Sequence, residues 1–168
     1  MVIKKKAVKF GNNINTDVIL PGKYLELIDP KELGKHAMEG IDPDFSSKVK
    51  DGAILIGGKN FGCGSSREQA PIALKNAGVE CVVSEYFARI FYRNCINIGL
   101  PAIEYENISE NVEEGDIISV DLEKGIVTNE SKDLTFKTAP IPKFLMTILQ
   151  EGGLIEHLKK ELGTKSSS

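Results

Sequence analysis

The spacing of apolar and polar residues predicts a mixed fold in which strands and helices alternate. Short apolar or alternating runs, which are typical of strands, occupy residues 6–10, 53–58, 79–84 and 100–105. Segments with helical composition or spacing follow two of these runs, at residues 69–77 and 86–97. Strands that alternate with helices in this way indicate an α/β fold.

The pattern changes in the second half of the chain. Residues 116–137 alternate with a period of two residues and are broken by turn sequences, which predicts a β-meander. Pro140 and Pro142 introduce a predicted helix, and a Gly-Gly break separates it from a last helix that ends at Leu162. Since no repeat or linker divides the chain, we expect one domain over residues 1–163 and a disordered tail over residues 164–168.

Composition argues against two broad classes of function. The 168-residue chain carries a net charge of −3, so nothing in it resembles a basic surface that binds nucleic acid. No apolar run approaches the roughly 20 residues that a helix needs to cross a bilayer, and the first residues alternate like a strand rather than a signal sequence. We therefore expect a cytoplasmic protein with neither a nucleic-acid nor a membrane partner.

The three cysteines, Cys63, Cys81 and Cys95, are far apart and form no Cys-x-x-Cys pair. A zinc or iron–sulfur centre built only from this chain is therefore not expected. Cys81 and Cys95 are predicted to be small core residues. Cys63 is either a small turn residue or a thiol whose pKa a helix dipole lowers.

The segment with the clearest chemistry lies between a predicted buried strand and a predicted helix. It is residues 60–69, Asn-Phe-Gly-Cys-Gly-Ser-Ser-Arg-Glu-Gln. Residues 65–68 fit the capping-box pattern, so we expect Ser65 and Ser66 at a strand-to-helix turn, where a serine oxygen caps the first turn of the helix. Unpaired N–H groups and the helix dipole there stabilise a carboxylate or phosphate, and Arg67 offers a two-pronged contact to a carboxylate. The segment predicts an anion site that contains hydroxyl groups.

Three familiar motifs do not fit this segment. A P-loop requires lysine where the chain has Cys63, and the dinucleotide fingerprint requires a third glycine where it has Arg67. The hydrolase pattern Gly-x-Ser-x-Gly is absent around Ser65 and Ser66, and neither histidine of the chain is near in sequence. From the residues alone, a capping role and a catalytic role for the serines both stay open.

Arginine is used sparingly in this chain. Of the 21 basic residues only Arg67, Arg89 and Arg93 are arginines, and they fall close together. A guanidinium group matches the two oxygens of a carboxylate better than an ammonium group does. Codon bias or chance would give the same cluster, so the observation supports carboxylate recognition without deciding it.

Three segments together resemble the small subunits of 3-isopropylmalate dehydratase, in the aconitase superfamily. They are Asn15-Thr16-Asp17-Val18-Ile19-Leu20-Pro21, Asn60-Phe61-Gly62-Cys63-Gly64-Ser65-Ser66-Arg67-Glu68 and Phe87-Ala88-Arg89-Ile90-Phe91-Tyr92-Arg93-Asn94. The resemblance covers nearly the whole chain, from Lys5 to Leu158. It implies a swivelling β/β/α domain that closes over a large subunit, and it implies that the large subunit carries a four-iron four-sulfur cluster.

The resemblance also implies a role for several residues. Ser65 would be an alkoxide base that takes a proton from the carbon next to a carboxylate, while the cluster acts as a Lewis acid on the departing hydroxyl group. Ser66 and Arg67 would hold the substrate carboxylates, and Gly64 would let the backbone approach closely. Asp17 would orient these groups or the leaving water, although by itself it is typical of a turn or cap.

Two further points limit these roles. A serine hydroxyl is far too weak an acid to ionise near neutral pH, so the site must lower its pKa through N–H groups, Arg67 and the partner's cluster. Arg89 and Arg93 form an i, i+4 pair on another face of the predicted helix, where arginines more often solvate a face than contact a substrate.

Substrate choice is expected to depend on the loop after Tyr24 and Leu25. By the resemblance, a cationic residue there suits tricarboxylates and apolar residues suit an isopropyl group. Here the loop continues with Glu26, Leu27 and Ile28, so an alkyl substituent is favoured and Glu26 must face solvent to avoid repelling a dianion. Isomerisation of 2- and 3-isopropylmalate in leucine biosynthesis is the first expectation. A dimethylmalate or other alkylmalate dehydratase and a homoaconitase subunit are the alternatives.

Hypotheses from other classes also stay open. A stand-alone anion-binding module, with Ser65 as a cap, predicts that the isolated chain binds phosphate or a nucleotide. The small-subunit hypothesis predicts no activity until an iron–sulfur partner is added. A purely structural regulatory domain is the third hypothesis, and co-purification with a large cysteine-containing partner would argue against it.

Overall fold

The computed structural model, which describes residues 1–166, places seven strands in one mixed sheet. In chain order the strands are β1 (Val2–Lys9), β2 (Ala53–Gly57), β3 (Val79–Ser84), β4 (Ala102–Glu104), β5 (Ile117–Asp121), β6 (Ile126–Asn129) and β7 (Leu134–Lys137). Their order across the sheet is β4-β3-β2-β1-β5-β6-β7. The first strand therefore lies where a parallel half and an antiparallel half of the sheet meet.

The parallel half consists of β1 to β4. Helix α4 (Gln69–Ala77) connects β2 to β3, and helix α5 (Arg89–Asn97) connects β3 to β4. All residues of β2 and β3 except Glu80 are buried, because this part of the sheet is covered on both faces. The carboxyl ends of the parallel strands meet at one edge, which is where ligands bind in sheets of this kind.

The antiparallel half pairs β1 with β5, β5 with β6, and β6 with β7, which confirms the predicted meander. Buried and half-buried residues alternate along β5 and β6. At the end of β6 the fully buried Asn129 donates to Asn111 O and to Asp116 Oδ2, both at 2.9 Å. Its Oδ1 accepts from Lys132 N at 3.1 Å. The backbone N–H of Glu113 and then Asn129 hold the pKa of Asp116 below its usual value.

The remaining helical segments are α1 (Thr16–Ile19), a 3-10 turn (Gly22–Tyr24), α2 (Pro30–Lys35), α3 (Phe45–Val49), α6 (Ile108–Asn111), α7 (Lys143–Gln150) and α8 (Leu154–Ser166). Asn15 begins α1 by accepting a hydrogen bond from Val18 N at 2.9 Å. Asp29 begins α2 in the same way, with Pro30 at the first helical position. Within the described part of the chain, no helix combines the length and the apolar character needed to cross a bilayer.

Two apolar clusters lie on opposite faces of the sheet. Along β2, Leu55 belongs to one cluster, whereas Ile54 and Ile56 belong to the other, as expected from the two-residue period of a strand. The first cluster includes Leu33 of α2 and residues of α3 and α4, and the second includes residues of β5, β6 and α7. The sheet is therefore the middle layer of the domain.

Most predicted elements are confirmed, and the differences lie at their ends. The helix predicted from residue 86 begins at Arg89, because residues 86–88 stay extended and exchange backbone hydrogen bonds with Phe61. The strand predicted over residues 100–105 is shorter, and α6 was not predicted. Helix α8 reaches Ser166, while residues 167 and 168 lie outside the described residues, so the tail over residues 164–168 stays a prediction.

Candidate active site

Three loops that follow β1, β2 and β3 lie side by side at the carboxyl edge of the parallel strands. The three segments on which the sequence resemblance depends begin in these loops, and two of them continue into α1 and α5. Backbone hydrogen bonds join the loops. The first two loops are joined by Gly58 N to Gly11 O, Asn13 N to Lys59 O, Gly62 N to Ile14 O and Thr16 N to Cys63 O, at 2.7 to 3.0 Å. Isolated parallel bridges, Asn15 with Cys63 and Phe61 with Phe87, continue the pairing beyond the strands.

A buried aromatic cluster supports the middle loop. The rings of Phe61, Phe87 and Phe91 have centroids between 5.4 and 6.1 Å apart. Gly62 lies against Phe91 with a φ of +83°, and a Cβ at this position would come within 2.1 Å of the Phe91 side chain. Glycine is therefore required here both for the backbone conformation and for the close approach.

The predicted capping box is wrong. Helix α4 begins at Gln69, and no side chain caps it. Ser65 and Ser66 precede the helix and are exposed, because the bonds between the loops hold this segment against residues 11–17 instead of letting it coil into the helix. The two serines therefore lie in the predicted connection between β2 and α4, but they do not cap the helix.

The loop still offers an anion site, on different grounds. Among the described residues, no acceptor pairs with a backbone N–H of residues 64–68. Gly64 has a φ of +102°, a conformation that favours glycine. Successive unpaired N–H groups form concave sites for oxyanions. The loop therefore contains free N–H donors as well as the Ser65 hydroxyl group.

Ser65 is fixed by a residue that the sequence reasoning did not single out. Thr16 is 2% exposed, and its Oγ1 lies 3.1 Å from Ser65 Oγ and 3.1 Å from the Ser65 carbonyl oxygen. In the sequence, the one signal for Thr16 is its place in the Asn-Thr-Asp segment, next to Asp17.

Arg67 is held beside the same loop. Its Nη1 donates to the carbonyl oxygen of Leu20 at 3.3 Å and pairs with Asp17 Oδ1. The Arg67 side chain is mostly buried, whereas that of Asp17 is 67% exposed, so solvent screens the ion pair and it contributes little to stability. The structure thus brings Ser65, Thr16, Asp17 and Arg67 together.

The loop expected to set specificity begins next to Arg67, since a Cβ at Gly22 would lie 3.7 Å from Arg67 Nη2. Glu26 is exposed, Ile28 is 94% exposed, and Leu27 packs partly on the core. The placement of Glu26 agrees with a side chain that faces solvent. Their role in specificity stays a prediction.

Tyr24 anchors this loop to α2 and the turns after it. Its ring stacks on His36 with centroids 3.8 Å apart, and its hydroxyl donates to Glu39 Oε1 at 2.7 Å. His36 Nδ1 lies 2.5 Å from Glu39 Oε2. The Tyr24 hydroxyl and then His36 lower the pKa of Glu39, so the carboxylate form is favoured. The base of the loop is therefore held by an aromatic stack and a shared carboxylate.

Arg89 and Arg93 are exposed on α5, and neither forms an ion pair or a side-chain hydrogen bond within the described part of the chain. Exposed Tyr86 and Ile90 lie beside them in sequence. These four residues therefore present polar and apolar surface on one part of the chain.

The cysteines do not fit an iron–sulfur cluster in this chain. Burial raises the pKa of Cys81 to about 12 and that of Cys95 well above its usual value, which disfavours the thiolate that binds metal. Cys63 is half-buried in the middle loop. No group of three or more His, Cys, Asp or Glu side chains within residues 1–166 is placed to hold a metal ion.

Comparisons with known proteins agree with this geometry. The family model of the aconitase C-terminal domain matches residues 3–108. The 3-isopropylmalate dehydratase small subunit of Halothermothrix orenii is 53% identical over 159 residues, which are 95% of this chain and 96% of that protein. The isopropylmalate/citramalate isomerase small subunit of Methanocaldococcus jannaschii is 55% identical over 161 residues, 96% of each chain.

A solved structure shows the same fold over the full length. The crystal structure of 3-isopropylmalate dehydratase from Methanocaldococcus jannaschii matches with a TM-score of 0.92 and 46% identity, and the match covers 99% of both chains.

Proposed function

We propose that this chain, which belongs to the aconitase C-terminal domain family, is the small subunit of a hydro-lyase of the 3-isopropylmalate dehydratase type. Its reaction would interconvert 2- and 3-isopropylmalate by dehydration and rehydration, a step of leucine biosynthesis. The observation that carries the proposal is the edge of the sheet, where an exposed serine hydroxyl, unpaired backbone N–H groups and a guanidinium group lie within residues 64–68.

Ser65 is the proposed base. As an alkoxide it would take the proton from the substrate carbon next to a carboxylate and return it on rehydration. Unpaired N–H groups of residues 64–68 beside it favour negative charge on Ser65 Oγ or on a bound carboxylate. Because backbone hydrogen bonds join the three loops, the N–H groups and Ser65 are expected to be in place before the substrate binds.

Arg67 and Ser66 are proposed to bind the substrate carboxylates, and Gly64 to allow close approach of the backbone. Leu20 O and Asp17 hold the Arg67 guanidinium at one edge, so its remaining N–H groups can form a two-pronged contact. Asp17 is thus proposed to orient Arg67. The Asp17 side chain is 67% exposed, so we do not propose Asp17 as an acid or base.

The proposed partner is a large subunit that carries a four-iron four-sulfur cluster. When bound there, the cluster would supply the Lewis acid for the departing hydroxyl group. The small-subunit names of the relatives imply a large-subunit partner, and the cysteines of this chain do not fit a cluster. Exposed Arg89, Arg93, Tyr86 and Ile90 are available to contact it. We place the enzyme in the cytoplasm, without a nucleic-acid or membrane partner.

The proposed substrates are malates with a small alkyl substituent. Leu27 and Ile28 offer apolar surface, the loop has no arginine for a third carboxylate, and one relative is named for both isopropylmalate and citramalate. A dimethylmalate or other alkylmalate dehydratase is the near alternative. A homoaconitase subunit is less favoured, because it must bind a tricarboxylate.

Reconstitution tests the proposal. The purified chain, the cluster-loaded large subunit and their mixture are each incubated with 2-isopropylmalate, and the two isomers are separated by chromatography. We expect conversion only in the mixture. No conversion by a mixture that forms a stable complex would contradict the proposal, and micromolar binding of inorganic phosphate by the isolated chain would instead favour an anion-binding module.

A further inference from the structure

A second hydroxyl group lies directly beneath Ser65. Thr16 is buried while Ser65 is exposed, and its Oγ1 is equally distant, at 3.1 Å, from the carbonyl oxygen and from the hydroxyl oxygen of Ser65. A buried hydroxyl group is costly to leave unpaired. Within the described residues, both hydrogen-bond partners of this hydroxyl group are atoms of Ser65, the proposed base.

The number of hydroxyl hydrogens determines which hydrogen bonds Thr16 and Ser65 can form with each other. A threonine hydroxyl has one hydrogen to donate and can also accept. With neutral Ser65, Thr16 can donate to Ser65 O while it accepts the hydrogen of Ser65 Oγ. Once Ser65 has lost its proton, that second hydrogen is gone, and the Thr16 hydrogen can turn to Ser65 Oγ. Rotation of the hydroxyl group is enough, because both acceptors are already within hydrogen-bond distance.

Gly64 provides the room for this hydroxyl group. A Cβ at position 64 would lie 3.3 Å from Thr16 Oγ1, closer than ordinary packing distance, and the φ of +102° also favours glycine. Threonine is suited to the position because its branched Cβ restricts the side chain to few rotamers. The hydroxyl oxygen is therefore enclosed and fixed in position, while its hydrogen can still rotate.

We propose that Thr16 is a positioning residue for the base: it aims the Ser65 hydroxyl group and moves its single hydrogen bond from Ser65 O to Ser65 Oγ when the serine becomes an alkoxide. This inference rests on the proposed function. In the dehydration the alkoxide takes a proton from the substrate carbon and becomes a hydroxyl group. The electron pair of the broken C–H bond forms the double bond as the substrate hydroxyl group leaves as hydroxide, for which the partner's cluster would supply the Lewis acid. Rehydration returns the proton and restores the alkoxide.

The direct test uses the reconstituted enzyme with Thr16→Val, which removes the hydroxyl group at nearly constant volume, and Thr16→Ser, which keeps it. Because a hydrogen bond to a charged oxygen is stronger than one to a neutral oxygen, we expect the valine variant to lower kcat by about 10- to 100-fold and to raise the pKa of the acidic limb of the kcat profile by about one to two pH units. KM should stay within about twofold. The serine variant should recover most of kcat. An unchanged pH profile in the valine variant would overturn the inference.

A double variant separates this inference from the proposed function. In a Ser65→Ala background, Thr16→Val should lower the residual rate no further, since the group that it positions is gone. If Ser65→Ala alone keeps near-normal turnover, the base assignment fails. If Ser65→Ala is inactive while Thr16→Val has the parent's pH profile, only the role of Thr16 fails.

A thiol reporter serves if the valine variant does not assemble. In the isolated full-length chain, Ser65→Cys is combined with Cys63→Ala, which leaves the introduced thiol as the accessible one because Cys81 and Cys95 are buried. The pKa of this thiol is measured from the pH dependence of its alkylation by iodoacetamide. Thr16→Ala should raise that pKa by about one unit, and Thr16→Ser should not. An equal pKa in all three chains would overturn the inference without reference to the partner.

Discussion

The polar groups around the end of β6, in the antiparallel meander, are paired within the chain. By contrast, the Ser66 hydroxyl group and the backbone N–H groups of residues 64–68 are left free in the part of the chain that the structure describes. Asn129 is fully buried and makes three hydrogen bonds. Ser66 is exposed, and neither its hydroxyl group nor the N–H groups of residues 64–68 have a partner there. Asn129 ends a strand and residues 64–68 lie between a strand and a helix, yet only the second segment offers groups to a ligand.

This difference shows what each region contributes. A buried amide that satisfies a carboxylate and a carbonyl stabilises the fold, because its removal leaves both unpaired. Free donors on a rigid support do little for the fold and are available for a ligand. We therefore expect substitutions at the sheet edge to change kinetics and substitutions in the meander to change stability.

Ser65→Ala should give the largest effect. Removing the base should lower turnover of the reconstituted enzyme by about 10³-fold or more, while the free energy of unfolding changes by less than about 1 kcal/mol, since the side chain is exposed. Ser47→Ala, at another exposed serine, is the matched control. Turnover close to that of the parent would refute the base assignment.

Arg67→Lys keeps the charge but removes the planar fork. A two-pronged contact that becomes a single one should cost about 2 to 3 kcal/mol, which lowers kcat/KM by about 30- to 150-fold. Arg93→Lys, at an arginine that makes no ion pair within the described residues, is the comparison. Equal kcat/KM for the Arg67 variant and the parent would show that Arg67 holds only Leu20 and Asp17.

Asn129→Ala tests the other side of the comparison. Loss of a buried amide that pairs with Asp116 and Asn111 should lower the free energy of unfolding by about 2 kcal/mol in urea, with kcat unchanged in the folded complex. Thr135→Ala, exposed on β7, should change stability by less than about 0.5 kcal/mol. A kinetic defect without a loss of stability would break the proposed division between the two regions.

The specificity loop should give the smallest effect. Leu27→Ala should weaken preference for isopropylmalate about tenfold, and Glu26→Arg should move preference toward homoaconitate, since apolar contacts of one or two methylene groups discriminate only modestly. Competition between the two substrates in the reconstituted enzyme measures the ratio. If both variants keep the ratio of the parent, residues 26–28 do not contact the substrate.

The local pattern of apolar and polar residues was sufficient to predict several helices and strands. The helix at residues 69–77 and the strand at residues 79–84 have the predicted bounds, because Gly78 ends the helix and an apolar run begins directly after it. The meander followed from a strict two-residue alternation. The conformation of these elements is determined by residues that are close together in the sequence.

The site depended on contacts between distant segments. Ser65 and Ser66 fit a capping pattern, but hydrogen bonds from residues 11–16 hold their segment outside the helix, and no local signal reports those bonds. The role of Thr16 could not be predicted for the same reason, because its partner Ser65 is 49 positions away in the sequence. The resemblance pointed to three segments that the structure brings together, whereas only the three-dimensional arrangement shows which side chains contact one another.

The central claim is that this chain provides one side of an active site that a partner completes. Its most direct test is a competition in which a limiting amount of cluster-loaded large subunit is mixed with the parent chain and increasing Ser65→Ala chain, and isopropylmalate isomerisation is measured. We predict that activity falls in proportion to the share of variant chain, because the variant occupies the partner without supplying the base. Activity that stays constant while the variant binds the large subunit as tightly as the parent does would contradict the account.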